Sequence, residues 1–271
     1  MSASHWFSKS YTEAKKRFNE SVNQLESLGH QVQRDSLSLD LVGPDGEDLT
    51  IDIAVLGSLT SNKLLLYTSG IHGVEGFAGS AIQLSVIDML KNQKLIEDYC
   101  IIFVHIINPF GMAWHRRVNE NNVDMNRNFI NTHSGEPDGY KKIDKFLNPN
   151  TIPKKFELSF YIDGIKLILK YGFTNFKQWF AQGQYTRPSS LQYGGDKLQK
   201  GPKLLIDWLG WEWNESYLSP HLNKRAVYTA SDIQIRSPIN SKSIRGWKNY
   251  KQLLQPSIEM LTKTEKYRDL I

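Results

Sequence analysis

Apolar residues recur at helical spacing from about residue 10 to 28, where Tyr11, Ala14, Phe18, Val22 and Leu25 sit among Lys, Glu and Asn. The period then changes. Residues 36–41 alternate, Gly43-Pro44-Asp45-Gly46 signals a turn, and residues 49–55 alternate again, so these runs predict a β-hairpin. Residues 63–67 predict a third strand, which runs straight into Thr68-Ser69-Gly70-Ile71-His72-Gly73-Val74-Glu75-Gly76. Residues 76–90 predict a helix with Phe77, Ala81, Leu84 and Ile87 on one face. Residues 99–107 are almost wholly apolar, the pattern of a strand covered on both faces.

Strand, turn, helix, strand is the grammar of a mixed or parallel sheet. Ligands in such sheets bind beyond the carboxyl ends of strands. The glycine-rich turn follows one such end, and Asn108-Pro109-Phe110-Gly111 follows another, so both are expected to open onto one crevice. Further on, residues 153–180 read as helix-rich, with Leu158, Ile162, Ile165, Leu169 and Phe173 near helical spacing and Gly164 and Gly172 as interruptions. Residues 184–195 read as loop. Lys203-Leu204-Leu205-Ile206-Asp207-Trp208 reads as a late strand, residues 228–235 as another, and residues 250–261 as a short helix.

Composition narrows the class. The chain has 271 residues, 40% hydrophobic and 23% charged, which suits one large α/β domain or two small ones. The formal charge of +5 is uneven: residues 201–271 hold 11 basic and 7 acidic residues, and residues 1–200 hold 22 and 21. No basic cluster is interleaved with aromatics, so no nucleic-acid partner is expected. The single cysteine, Cys100, excludes an internal disulfide and favours a reducing, cytoplasmic setting. The N-terminus has no basic-then-apolar signal pattern. No run approaches the ~20 apolar residues of a membrane span, and no membrane partner is expected.

The chemistry concentrates in two stretches. His72 and Glu75 bring an imidazole nitrogen and a carboxylate oxygen within three residues, and the glycines let the backbone turn both toward one ion. Taken alone, this is a metal site or an ordinary polar turn. The second stretch runs from Trp114-His115-Arg116-Arg117 to Asp124-Met125-Asn126-Arg127-Asn128-Phe129. Its arginines are either solvated or they bind a carboxylate through the guanidinium fork, or stabilise an oxyanion.

Together, His72-Gly-Val-Glu75, Asn108-Pro-x-Gly111 and Asp124-Met-Asn126-Arg127-Asn128-Phe129 resemble the zinc carboxypeptidase superfamily, which includes the desuccinylase and aspartoacylase amidohydrolases. The variant His-Gly-Val-Glu-Gly-Phe-Ala-Gly-Ser with Arg-Arg-Val-Asn-Glu is similar to a bacterial and fungal branch of unassigned substrate. The resemblance covers about residues 7–195. It implies an α/β fold with a mixed, largely parallel central sheet flanked by helices, and one catalytic zinc. It also implies His72 and Glu75 as metal ligands, and Arg117, with Arg116 the alternative, as the group that polarises the scissile carbonyl. Asn126 and Arg127 would hold the substrate's carboxylate.

The chain departs from that pattern after about residue 200. A catalytic zinc takes three protein ligands, and the family's third is a histidine after a late strand. Residues 203–213 contain none. His221, in the turn-like Ser219-Pro220-His221-Leu222, is the nearest substitute. His105 reads as a core residue, His115 and His133 as loop residues near the crevice, and His5 and His30 as surface. Glu212, Glu215 and Glu259 are candidates for the general base by position alone. Residues 1–200 therefore read as a metallopeptidase-like α/β domain. Residues 201–271 read as an atypical end of the same domain, as a truncated or frame-shifted gene would give. The expected activity is zinc-dependent hydrolysis of amide or peptide bonds in small substrates with a free carboxylate, peptides or N-acyl amino acids. The alternative is a catalytically inactive relative that binds a ligand or partner in the same crevice.

Overall fold

The computed structural model describes residues 3–92, 99–128, 135–151, 157–212 and 214. The chain divides into two compact units, Met1–Asn214 and Glu215–Ile271, and every described residue belongs to the first. His133, Glu215, His221, Glu259, the expected strand at 228–235 and the expected helix at 250–261 lie outside the described residues.

Helix α1 (Tyr11–Ser27) forms as its periodicity predicts, and all five stripe residues are buried. The Ser10 side chain caps its start by accepting from the Glu13 amide at 3.1 Å. Strands β1 (Val32–Val42) and β2 (Asp48–Leu56) form the predicted antiparallel hairpin, with β1 longer than its alternating core suggested. Strand β3 (Lys63–Thr68) leads through the glycine-rich turn into helix α2 (Gly76–Leu90), and the chain returns as β4 (Tyr99–His105).

The sheet is mixed, with order β1-β2-β4-β3. Among the described strands the parallel pairing is β3 with β4; β4 runs antiparallel to β2. Helices α1 and α2 cover one face, where Phe18, Val22, Leu25, Leu84 and Ile87 meet Leu56 and Phe103. The other face buries Ile51, Ile53, Val55, Ile102 and Val104 with Met125 and Leu205.

Leu205 belongs to helix α7 (Lys200–Trp208), which corrects the expected late strand at 203–208. Leu204, Leu205, Trp208 and Leu209 recur at helical spacing and all pack on that core face. Pro202 lies in the first turn, where its missing N–H costs nothing. The short helix α3 (Pro109–Ala113) follows β4. Within the helix-rich stretch at 153–180 the described residues form α5 (Leu158–Tyr171) and α6 (Phe173–Ala181), separated by Gly172 at φ 82°; α4 (Asp138–Leu147) precedes that stretch and was not anticipated from the sequence.

Candidate metal centre at the end of strands β3 and β4

Beyond the carboxyl ends of β3 and β4 the two chains stay zipped together. Ile107 and Asn108 donate their amides to Ser69 and Gly70 carbonyls, each at 2.9 Å. Just before them, directly after β4, Ile106, buried and β-branched, takes φ 61°. That value is an outlier for such a side chain and marks where the backbone is forced to turn. The buried Gln83 of α2 spans the same place, donating to the carbonyls of Tyr67 (2.9 Å) and Val104 (3.0 Å) and accepting from Ser69 Oγ (3.1 Å). The turn that carries His72 is thus tied to the sheet and to α2.

The motif glycines explain each other. A Cβ on Gly73 would collide with the backbone of Gly111. Asn108 caps α3 by accepting the Gly111 amide at 2.9 Å, with Pro109 at the first helical position. The amides of Gly73 and Val74 donate to the carbonyls of Arg117 and Arg116 at 3.2 and 3.0 Å. In this way Asn108-Pro-x-Gly111 docks the arginine loop against the His72 turn.

Four side chains then close a ring. His72 Nδ1 lies 3.1 Å from Glu75 Oε2, and His72 Nε2 lies 3.1 Å from Asp124 Oδ1. Arg117 donates from Nε to Asp124 Oδ2 and from Nη1 to Glu75 Oε1, both at 3.1 Å. Asp124 is the buried anchor, 1% exposed, and also accepts the Asn126 amide at 3.0 Å. The His72 side chain is 10% exposed and that of Glu75 63%, so the ring opens to solvent on the Glu75 side.

This donor pair suits a zinc ion. Two ligands about 2.1 Å from one tetrahedral zinc sit roughly 3.4 Å apart, and His72 Nδ1 and Glu75 Oε2 are 3.1 Å apart. A ligating histidine commonly gives its other nitrogen to a carboxylate, which fixes the ring's tautomer and orientation; Asp124 is placed for that bond. Among the described residues no group of three His, Cys, Asp or Glu is arranged to hold a metal, and His221 lies outside them.

The remaining sequence candidates are distributed around the ring. The structure brings His72, Glu75 and Arg117 together. Arg116 is exposed and meets the turn through its carbonyl. Asn126 is exposed one residue past Met125. Arg127 directs Nε to the Ala181 carbonyl at 2.8 Å and Nη1 to the Asn126 carbonyl at 3.1 Å, so its guanidinium holds the last turn of α6. His115 is exposed and stacks on Phe77, and Glu212 is an exposed charge. His105 is a core residue, as read: Nε2 lies 3.0 Å from Ser80 Oγ, the ring stacks on Phe18, and burial, with a smaller contribution from the Lys15 charge, pushes its pKa down to about 3. Asp124 is the ring member that the motif contained without a role. Its signal was an acid two residues before Asn126, in a loop rich in amides and arginines that also carries Glu120.

Among solved structures, the chain is similar to an aspartoacylase family protein from Mesorhizobium loti, at 25% identity and a TM-score of 0.29, covering 36% of this chain and 30% of that one. It is also similar to a putative carboxypeptidase A from Shewanella denitrificans, at 14% identity and a TM-score of 0.32 over 56% and 36% of the two chains. A third is bovine thrombin-activatable fibrinolysis inhibitor, solved with tick carboxypeptidase inhibitor, at 13% identity and a TM-score of 0.36 over 61% and 57%. The chain therefore spans less than two thirds of the length of each. No curated protein matches it. Residues 7–209 match the family described as "Protein of unknown function (DUF2817)", and the chain belongs to that family.

Proposed function

We propose that this protein is a zinc-dependent hydrolase of amide or peptide bonds in small substrates with a free carboxylate. The closed ring of His72, Glu75, Arg117 and Asp124 carries the reading. A zinc bound there would supply a Lewis acid and a water of lowered pKa. His72 would hold it through Nδ1 and Glu75 through Oε2, while Asp124 keeps the imidazole oriented from the far side.

The two oxygens of Glu75 have separate partners, so a cation at Oε2 leaves the Arg117 bond to Oε1 in place. Arg117 then presents a fixed positive charge beside the metal position, suited to an oxyanion forming on an attacked carbonyl. Asn126 and Arg127, on the turn that Asp124 caps, would meet the substrate's carboxylate. Arg127 already holds the Ala181 carbonyl through Nε, which fixes its guanidinium beside that turn.

Hydrolysis of N-acetyl amino acids and of dipeptides by the full chain tests this, with zinc added and with a chelator. Zinc-dependent turnover, abolished in Arg117→Ala, supports the proposal. A chain that binds zinc yet turns over neither class contradicts it. A second reading, a relative that binds such ligands without hydrolysing them, draws on the same ring and on the two-donor metal set among the described residues. Saturable binding of N-acetyl amino acids without turnover is its signature.

A further inference from the structure

Helix α5 is strongly apolar and barely buried. Leu158, Tyr161, Ile162, Ile165 and Leu169 run along one side at helical spacing, and all are exposed, Leu158 by 70% and Leu169 by 80%. The helix already has its packing on the opposite side. There Phe160 stacks on Phe146 of α4 at 4.6 Å, and Gly164 faces the same ring. The outer stripe is therefore surplus to what α4 and α6 need. Phe173 and Phe180 of α6 are exposed as well.

Charge accompanies this apolar surface. The described residues of 138–181 include six lysines and four acidic residues, a net of +2. Lys166 and Lys170 sit on α5 itself, about a quarter turn from the stripe at 100° per residue. A cleft of about 400 Å³ opens on that flank, lined by Lys142, Lys145, Lys166, Ser159, Glu157 and Asp163. Asp163 pairs with Lys166 at 3.2 Å, which leaves the lysines in excess.

We propose that α5 and its lysine flank form a docking surface for an anionic lipid bilayer. The helix would lie in the interface plane, with the stripe among acyl chains and the lysines at headgroup phosphates. Lysine stems reach along apolar surface while the ammonium stays at the polar level. A second copy of the chain is a poor occupant, because a two-fold contact would set one net-basic surface against another. No described helix is long and apolar enough to cross a membrane, and an interfacial helix does not need to be.

The test is co-sedimentation of the full chain with vesicles of phosphatidylcholine alone and of equimolar phosphatidylcholine and phosphatidylglycerol. The wild-type chain should bind the anionic vesicles about tenfold or more tightly than the neutral ones, and high salt should release it. Ile165→Asp with Leu169→Asp should lose binding to both while its thermal midpoint stays near wild type, since both positions are exposed. Lys166→Glu with Lys170→Glu should lose the preference for anionic vesicles. Wild-type protein left in the supernatant with both compositions overturns the proposal, as does an aspartate variant that pellets like the wild type. A wild-type dimer by light scattering that the aspartate variant splits, without vesicle binding, assigns the stripe to a second copy and also overturns it.

Discussion

In α1 the apolar positions 11, 14, 18, 22 and 25 are buried among charged and amide neighbours, and the helix is fixed to the sheet through them. In α5 a larger share of the residues is apolar, yet Gly164 is its buried position and the leucines and isoleucines of its outer stripe face solvent. Periodicity announces a helix in both cases. It does not say whether a second layer covers the stripe, because that depends on which distant segments arrive. Strands β3 and β4 repeat the lesson: both are apolar, but β4 lies between β2 and β3, while Leu64 and Leu65 of β3 are exposed.

The comparison breaks first where burial is complete. Phe18→Ala in α1 should cost about 3–5 kcal/mol of unfolding free energy in denaturant titration. A cost below 1 kcal/mol, on that order-of-magnitude scale, would mean that α1 is not the structural helix described.

Next comes the histidine on which Phe18 stacks. His105 has its folded pKa near 3 against 6.5 unfolded. Between those values the unfolded chain takes up a proton that the folded chain refuses, so stability falls as pH drops from 6.5 toward 3. The contribution is on the order of a few kcal/mol. Thermal midpoints across that range should decline more gently in His105→Gln than in the wild type, and equal slopes would contradict the burial argument.

The ring falls between the two helices in the scale of its effect. Asp124→Asn keeps the shape but weakens the hold on His72, and should lower zinc affinity about 10–100-fold by calorimetric titration. Unchanged affinity would remove Asp124 from the metal centre. The smallest stability effect belongs to α5. Ile165→Asp or Leu169→Asp should move unfolding free energy by no more than about 0.5 kcal/mol, against the several lost at Phe18.

Much of the fold was legible in periodicity: α1, the hairpin, β3, α2 and β4 all follow from it. Residues 203–208 did not, because a short apolar run between polar ends fits a strand or a helix, and only packing of Leu204, Leu205, Trp208 and Leu209 on the sheet decides. The site divides in the same way. His72 and Glu75 could be paired because they are neighbours in sequence, whereas Arg117 was singled out only through the family resemblance, since an arginine in such a loop reads equally as a solvated charge. Asp124 was hidden because an aspartate before a turn reads as a local cap, and it does cap the Asn126 amide as well as holding His72. Arg127 looked free to bind substrate because its partner, the Ala181 carbonyl, lies 54 residues away.

Zinc stoichiometry of the purified full chain tests the metal centre most directly. Elemental analysis after incubation with zinc and desalting should find about one ion per chain in the wild type, as a structural or catalytic site of adequate affinity retains its metal. It should find essentially none in His72→Ala or in Glu75→Ala. A wild-type chain that retains no zinc, or variants that retain as much as the wild type, would contradict the account.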